Sequence, residues 1–305
     1  MILRGENFRL LIFDSTLEKY KCVGMATNCA ITQSTNTQEA SSKDDVGMAA
    51  KPVVTSQGFQ VQVDSLNVID AAAVLTAIRH MAPFTLLWTE TSTEDNQAPE
   101  DHVTFSREGQ AYLSDATFNF NDRELASKNL TFSGTGPLQP APSEPAYEPI
   151  SAGSYTRGQY IRLFVSSDNT ATPIAVIAAA RTLSFHVSLT MEASSTKDTQ
   201  GNWEVQTPTA LAYDFSTSAL TKGDDVITSQ VGAKGLADLM TVKEACEPVK
   251  WEIANVTGAN QRTKATTIVS GSAIIQTLTI NNPNRRNSDY TVQFAGYGIY
   301  TVATT

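Results

Sequence analysis

Two thirty-residue stretches decide the reading: GQAYLSDATFNFNDRELASKNLTFSGTGPL, Gly109–Leu138, and GSAIIQTLTINNPNRRNSDYTVQFAGYGIY, Gly271–Tyr300. Set one over the other without gaps, at an offset of 162, they share Gly109/Gly271, Ala111/Ala273, Thr117/Thr279 and Asn119/Asn281. They also share Arg123/Arg285, Phe132/Phe294, Gly134/Gly296 and Gly136/Gly298. Self-similarity at a fixed offset is the signature of a repeated folding unit. Upstream, Arg9-Leu10 matches Arg162-Leu163, and Glu39-Ala40-Ser41-Ser42 matches Glu192-Ala193-Ser194-Ser195, both at an offset of 153. Lys43-Asp44 matches Lys197-Asp198 one residue later, and Pro83 matches Pro248. The offset drifts only between these blocks, where loops tolerate insertions.

Between the copies run Pro137, Pro140, Pro142, Pro145 and Pro149. Proline at that density neither donates to a ladder nor continues a helix, and it favours extended backbone. The expected organisation is a first β domain over 1–138, a Pro-rich linker over 139–157 and a second β domain over 158–305.

Within each copy the apolar period is two. Phe59, Val61 and Val63 alternate with Gln60, Gln62 and Asp64; their expected counterparts Leu211, Tyr213 and Phe215 alternate with Ala212, Asp214 and Ser216. Phe185, Val187, Leu189 and Met191 alternate with Ser184, His186, Ser188 and Thr190. Such alternation marks strands with one buried and one wet face. One segment per copy reads as a helix: Ile69–Met81, with Asp70 in its first turn and Pro83 beyond its end, and Gly235–Ala245 before Pro248. The expected fold is mainly β: two tandem antiparallel β-sandwich or partial-barrel domains, each with one flanking α-helix.

The 305 residues are 41% hydrophobic and 17% charged, with 22 basic against 31 acidic residues and a net charge of −9. That balance argues against gripping nucleic acid by neutralising phosphates. Arg4, Glu6 and Arg9 break the apolar content of Met1–Phe13, which therefore does not read as a signal peptide. The longest apolar run, Ile174–Ala180, is far short of the roughly 20 residues a span needs, so no membrane partner is expected. Cys22, Cys29 and Cys246 are too scattered for a disulfide framework and read as reduced, small apolar residues.

Chemistry-bearing constellations are lacking: no nucleophile–base pair, carboxylate dyad, metal cluster or cofactor loop stands out. Gly134-Thr135-Gly136 and Gly296-Tyr297-Gly298 follow strands, but no helix-forming segment comes after them, so they read as turning or close-approach positions. His80 reads as exposed beside Arg79, His186 as the wet side of a strand, and His102 as loop. Glu94-Asp95 and Glu100-Asp101 lack the spacing of a calcium loop. The expectation is a protein that is not an enzyme and holds no cofactor and no metal.

Both copies carry a polar stretch after a strand, at Glu39–Asp45 and Glu192–Asp198, before the next strand begins near Gly58 or Thr209. These loops far exceed the two to five residues or so of an ordinary hairpin. Present twice, they read as contact arms towards a neighbouring subunit.

At these residues the sequence resembles the major tail tube proteins of long-tailed, non-contractile bacteriophages, in a tandem-duplicated form. The resemblance lies in Thr37-Gln38-Glu39-Ala40-Ser41-Ser42-Lys43-Asp44 with Phe132-Ser133-Gly134. In the second copy it lies in Met191-Glu192-Ala193-Ser194-Ser195-Thr196-Lys197-Asp198, Gly201-Asn202-Trp203 and Phe294-Ala295-Gly296. The first copy has Val46-Gly47-Met48 where the family pattern has a tryptophan. The resemblance implies packed antiparallel sheets with a flanking helix, rings whose inner strands form one β-barrel, and long loops that reach the next stacked ring. A duplicated chain then implies a trimer with six pseudo-equivalent domains in the tail of a virion. Its partners would be further copies of itself, the tape-measure protein and phage DNA in the lumen, and tail terminator and tail-tip proteins. On this reading Glu39, Lys43, Asp44, Asp45, Glu192, Lys197, Asp198 and Trp203 belong to ring-stacking loops, while Gln60, Gln62, Asp64, Asp214 and Ser216 face the lumen. The competing expectation is a pair of immunoglobulin-like sandwiches displayed on a surface to bind a receptor or glycan.

Overall fold

The computed structural model describes residues 8–14, 18–23, 26–41, 50–66, 71–90, 106–141, 156–166, 168, 175–197, 201–221, 233–257 and 263–303. In the N-terminal half the elements are β1 (Phe8–Asp14), β2 (Lys19–Cys22), β3 (Ala26–Glu39), β4 (Pro52–Ser65), α1 (Ala71–His80), β5 (Phe84–Glu90), β6 (Ser106–Asn119) and β7 (Ser127–Pro140). After a 3-10 turn at Gly158–Tyr160 follow β8 (Ile161–Val165), β9 (Ala175–Ile177), β10 (Ala180–Ala193) and β11 (Gln206–Leu220). The chain closes with β12 (Ala233–Lys234), α2 (Leu236–Ala245), β13 (Val249–Thr257), β14 (Thr263–Asn281) and β15 (Asp289–Val302).

The fold is mainly β and antiparallel, as the alternation predicts, and its sheet is not closed. A central layer runs β3-β4-β7-β6-β10-β11-β15-β14, every neighbour antiparallel. A second layer branches from two of its strands: β5, β1 and β2 continue from β6, and β13, β8 and β9 continue from β14. Between the layers lies one hydrophobic cluster with members in both halves, including Val61, Phe118, Phe132, Phe185, Phe215, Trp251 and Phe294.

Local chemistry sets the same landmarks in each half. The two helices lie 165 residues apart, and each ends in a left-handed residue, Met81 (φ 51°) and Cys246 (φ 53°), two residues before a proline. Arg79 occupies the last turn of α1, where a cation complements the helix dipole. Asp238 opens α2 by accepting the Gly235 N–H at 3.0 Å. The turn between the last two strands holds Arg123 (φ 62°) in one half and Arg285 (φ 61°) in the other. A Cβ on Gly134 would fall within the Phe59 ring, and one on Gly296 would sit 2.6 Å from the Tyr213 ring, so both strands need glycine to pass an aromatic.

Those contacts correct one correspondence. Phe59, Val61 and Val63 match Tyr213, Phe215 and Thr217, two residues further along than Leu211, Tyr213 and Phe215. Val61 pairs with Phe132 as Phe215 pairs with Phe294, which fixes the alignment. A slip of two keeps every side chain on its face, so periodicity alone does not detect it. At the linker, β7 runs on through Pro137 to Pro140, two residues past the expected boundary at 138. The far end is anchored on the N-terminal half: Ala126 N–H donates to Thr156 at 2.8 Å and Gly158 N–H to Glu124 at 2.9 Å. Cys22 and Cys29 are half-buried, and burial pushes both thiols up to about 11.

Candidate assembly surface

Residues paired across an antiparallel ladder share a face, so the register defines what the central layer presents on the side away from the core. Gln60, Gln62 and Asp64 stand beside Ser133, Thr131 and Asn129. Thr131 and Asn129 stand beside Asp115 and Thr117, which adjoin Ser188 and His186. His186 and Ser184 adjoin Asp214 and Ser216, which adjoin Ala295 and Gln293. Gln293 and Thr291 meet Thr277 and Thr279, and at the other end Thr32 stands beside Gln60. Gln60, Gln62, Asp64, Asp214 and Ser216 are thus brought onto one continuous polar face. None of these paired positions is lysine or arginine, and three are aspartate.

The face crosses from one half to the other at β6–β10, and there it carries an ionic triad. His186 Nε2 donates to Asp115 Oδ2 at 2.6 Å across the seam, and Nδ1 donates to Asp214 Oδ2 at 2.8 Å. A neutral imidazole has a single N–H, so only the imidazolium makes both bonds to ionised carboxylates. Burial of the ring pulls the His186 value down, but the hydrogen bonds and charges of Asp115 and Asp214 outweigh it and hold the value above the ordinary histidine range. Nearby, Asp64 accepts from Asn28 at 3.2 Å and closely from Asn129.

A second crossing is made by the segment after β10. Gln57 N–H donates to Asn202 at 2.6 Å, Glu204 N–H returns to Gln57 at 2.8 Å, and Gly136 N–H donates to the Glu204 carbonyl at 2.8 Å. The Glu204 carboxylate accepts from Ser56 at 2.7 Å and Asn36 at 3.2 Å. Trp203 meets Phe59 edge-on, ring centroids 6.4 Å apart. The left-handed Gly136 (φ 77°) exposes the N–H that receives this loop, and Gly298 (φ 76°) repeats that conformation in the C-terminal half.

Comparison with known proteins gives partial likenesses only. No family model matches the chain, and no curated protein matches it. Among solved structures it is similar to the SPP1 tail tube, determined by solid-state NMR and cryo-EM, at 14% identity and a TM-score of 0.35, over 48% of this chain and 80% of that one. It is also similar to chains of the native gene transfer agent virion and of the tail of an empty gene transfer agent particle with C6 symmetry. Each of these has 13% identity and a TM-score of 0.34, over 49% of this chain and 99% of the other.

The expected loop residues are distributed as follows. Glu39 ends β3, exposed and opposite Pro52; Glu192 is exposed on β10 opposite Thr207; Lys197 is exposed in the turn beyond. Lys43, Asp44, Asp45 and Asp198 lie outside the described residues, as does His102. Trp203 is half-buried against Phe59 of the same chain rather than standing at a free loop tip. Sequence reasoning missed Asp115, Glu204 and Gln57 as functional positions. Asp115 carried one local signal, a polar residue on the wet face of an alternating strand; Gln57, on the Phe59 side of β4, and Glu204, just before β11, carried none. Among the described residues no cluster of histidine, cysteine and carboxylates could hold a metal, and no helix is long and apolar enough to cross a membrane.

Proposed function

We propose that this chain is a structural subunit of a bacteriophage tail tube, a tandem duplication of one tube domain, with three copies closing head to tail into a ring of six halves. Stacked rings form a hollow conduit in the virion tail, with the polar face of the central layer turned to the lumen. The tape-measure protein and phage DNA occupy that lumen in turn, and terminator and tip proteins close the ends.

One observation carries the reading. The last strand of the first four-strand block, β6, pairs with the first strand of the second block, β10, so the layer is already extended once within the chain. A contact between unlike edges repeats until it closes on itself, and further rings then stack along the axis. A lumenal face whose paired positions hold no lysine or arginine suits DNA that must pass and not stick, since even a few phosphate contacts give substantial non-specific affinity. The surface-displayed binding module finds no such support. Trp251 is fully buried, Trp88 stacks on Phe8 and Trp203 packs on Phe59, which leaves no exposed tryptophan platform.

Negative-stain microscopy of the concentrated protein tests the proposal. Rings or tubes with threefold or pseudo-sixfold symmetry are the expected result, and dispersed monomers at high concentration overturn it.

A further inference from the structure

Within the tube-subunit reading, on which this step rests, we infer the register of the contact between copies. Residues 277–281 of β14 pair antiparallel with residues 30–34 of β3 of a second copy, Thr279 opposite Thr32 and Ile280 opposite Ile31.

The chain contains its own template. Residues 115–119 of β6 pair with β7 at 131–127, and residues 277–281 of β14 pair with β15 at 293–289, position for position at an offset of 162. Residues 184–188 of β10 pair with β11 at 216–212, and residues 30–34 of β3 pair with β4 at 62–58, position for position at an offset of 154. Residues 115–119 and 184–188 are joined to each other, Thr117 opposite His186 and Phe118 opposite Phe185. Among the described residues, their equivalents, 277–281 and 30–34, have no strand beside them on the corresponding edges. Transferring the internal ladder to these edges gives the pairs stated.

Neither bare segment, AITQS or TLTIN, carries a charge or a proline of its own. Exposed edge strands are ordinarily blunted by lysine, proline or a buried charge. The fourteen residues of β3, ATNCAITQSTNTQE, contain no lysine, arginine or proline, and 277–281 reads TLTIN.

Exposure marks the missing neighbour at two further places. Phe118 is 1% exposed under β10, while its equivalent Ile280 is 40% exposed. Leu75 on α1 is 1% exposed, its carbonyl receiving the Tyr300 hydroxyl of the C-terminal half at 2.7 Å, while its equivalent on α2, Met240, is 40% exposed. Ile280 and Met240, exposed in the C-terminal half, thus have buried equivalents, Phe118 and Leu75, in the N-terminal half. A second copy of this chain, applied by the relation that joins the halves, therefore covers Ile280 and Met240.

The two kinds of seam differ chemically. The positions of Asp115, His186 and Asp214 are taken by Thr277, Thr32 and Gln60, so the seam between copies is neutral where the seam within the chain is ionic.

Paired cysteines test the register in a Cys246→Ser background, with microscopy of the same samples. Thr32→Cys and Thr279→Cys placed on separate chains and mixed should give oxidised dimers, while neither variant alone gives any. The double variant should lose its monomer band to linked species and retain rings. Homodimers of Thr32→Cys alone mean an isologous contact and overturn the inference. Rings that cross-link instead through Thr32→Cys with Thr277→Cys overturn the register and leave the tube reading standing. Absence of both rings and cross-links overturns both.

Discussion

His186 of β10 donates a hydrogen bond to Asp115 of β6 at 2.6 Å, an ionic contact on the wet face where the two halves of the sheet are joined. Its second ring nitrogen is held by Asp214 at 2.8 Å, so the seam is clamped best when the ring is protonated. The side chains are 32%, 37% and 62% exposed, which limits what the clamp contributes.

The sign of its pH dependence follows. The folded value is raised above the unfolded one, so the stabilisation is fully present below the unfolded histidine value and is lost as pH rises through the folded value. His186→Gln should cost about 0.5 kcal/mol at mildly acidic pH, discounted for solvent screening, and close to nothing at mildly alkaline pH. Urea midpoints of both proteins across that range measure it. A gap that stays constant or widens with rising pH would refute the clamp.

Buried polarity gives a sharper test of how α1 is seated. The Tyr300 hydroxyl donates to the Leu75 carbonyl at 2.7 Å with both groups out of water, tying the last strand of the C-terminal half to the helix of the N-terminal half. Tyr300→Phe removes the donor with almost no change of shape and should lower stability by about 1 kcal/mol. An unchanged thermal midpoint would mean the hydroxyl is satisfied elsewhere.

Much of this arrangement was legible in the sequence, for physical reasons. The identities at Gly134/Gly296, Gly136/Gly298 and Arg123/Arg285 survive in both halves where the backbone is constrained, by an adjacent aromatic or a left-handed turn. Helices expected over 69–81 and 235–245 are found at 71–80 and 236–245, because Pro83 and Pro248 each close a segment that α-helix geometry already favours. Strand alternation put Gln60, Gln62, Asp64, Asp214 and Ser216 on the wet side. Alternation says which face a residue takes but not which strand lies beside it. The His186–Asp115 contact spans 71 residues and Ser56–Glu204 spans 148, so neither leaves any trace in local spacing.

Close approach makes Gly296 intolerant of a side chain. A Cβ there would lie 2.6 Å from both the Tyr213 ring and the Tyr213 carbonyl oxygen, and the carbonyl cannot rotate away. Gly296→Ala should therefore cost about 2 kcal/mol through overpacking. Gly136→Ala pays instead for a left-handed φ with open space around it, about 1 kcal/mol. Chemical denaturation of the two variants compares them, and the reverse order would show that the strand can shift to admit a methyl group.

Trp203 links the segment after β10 to the N-terminal half through Phe59. Its half-buried state predicts a loss of about 2 kcal/mol in Trp203→Ala, below the cost of emptying a fully buried tryptophan site. Glu204→Ala, which leaves Ser56 and Asn36 facing water, should cost less than about 1 kcal/mol. Protection of the Gln57 and Gly136 amides against hydrogen exchange reports the same event locally, because both donate into the docked segment. Amides that remain protected in Trp203→Ala would show that the backbone bonds, and not the indole, hold it in place.

If the polar face lines a conduit, its low affinity for phosphate can be reversed by design. Gln60→Lys, Gln62→Lys and Ser216→Lys point three cations to the same side of the central layer without touching the core. Assembled tubes of the triple variant should retain short duplex DNA at low salt where unmodified tubes do not. Retention should fall steeply as salt rises, because each phosphate contact releases about one counterion. Nuclease digestion locates the bound DNA: fragments inside a tube survive, and those on an outer wall are cut. Complete digestion of the retained DNA would put this face on the outside and remove the physical reason for its lack of lysine and arginine.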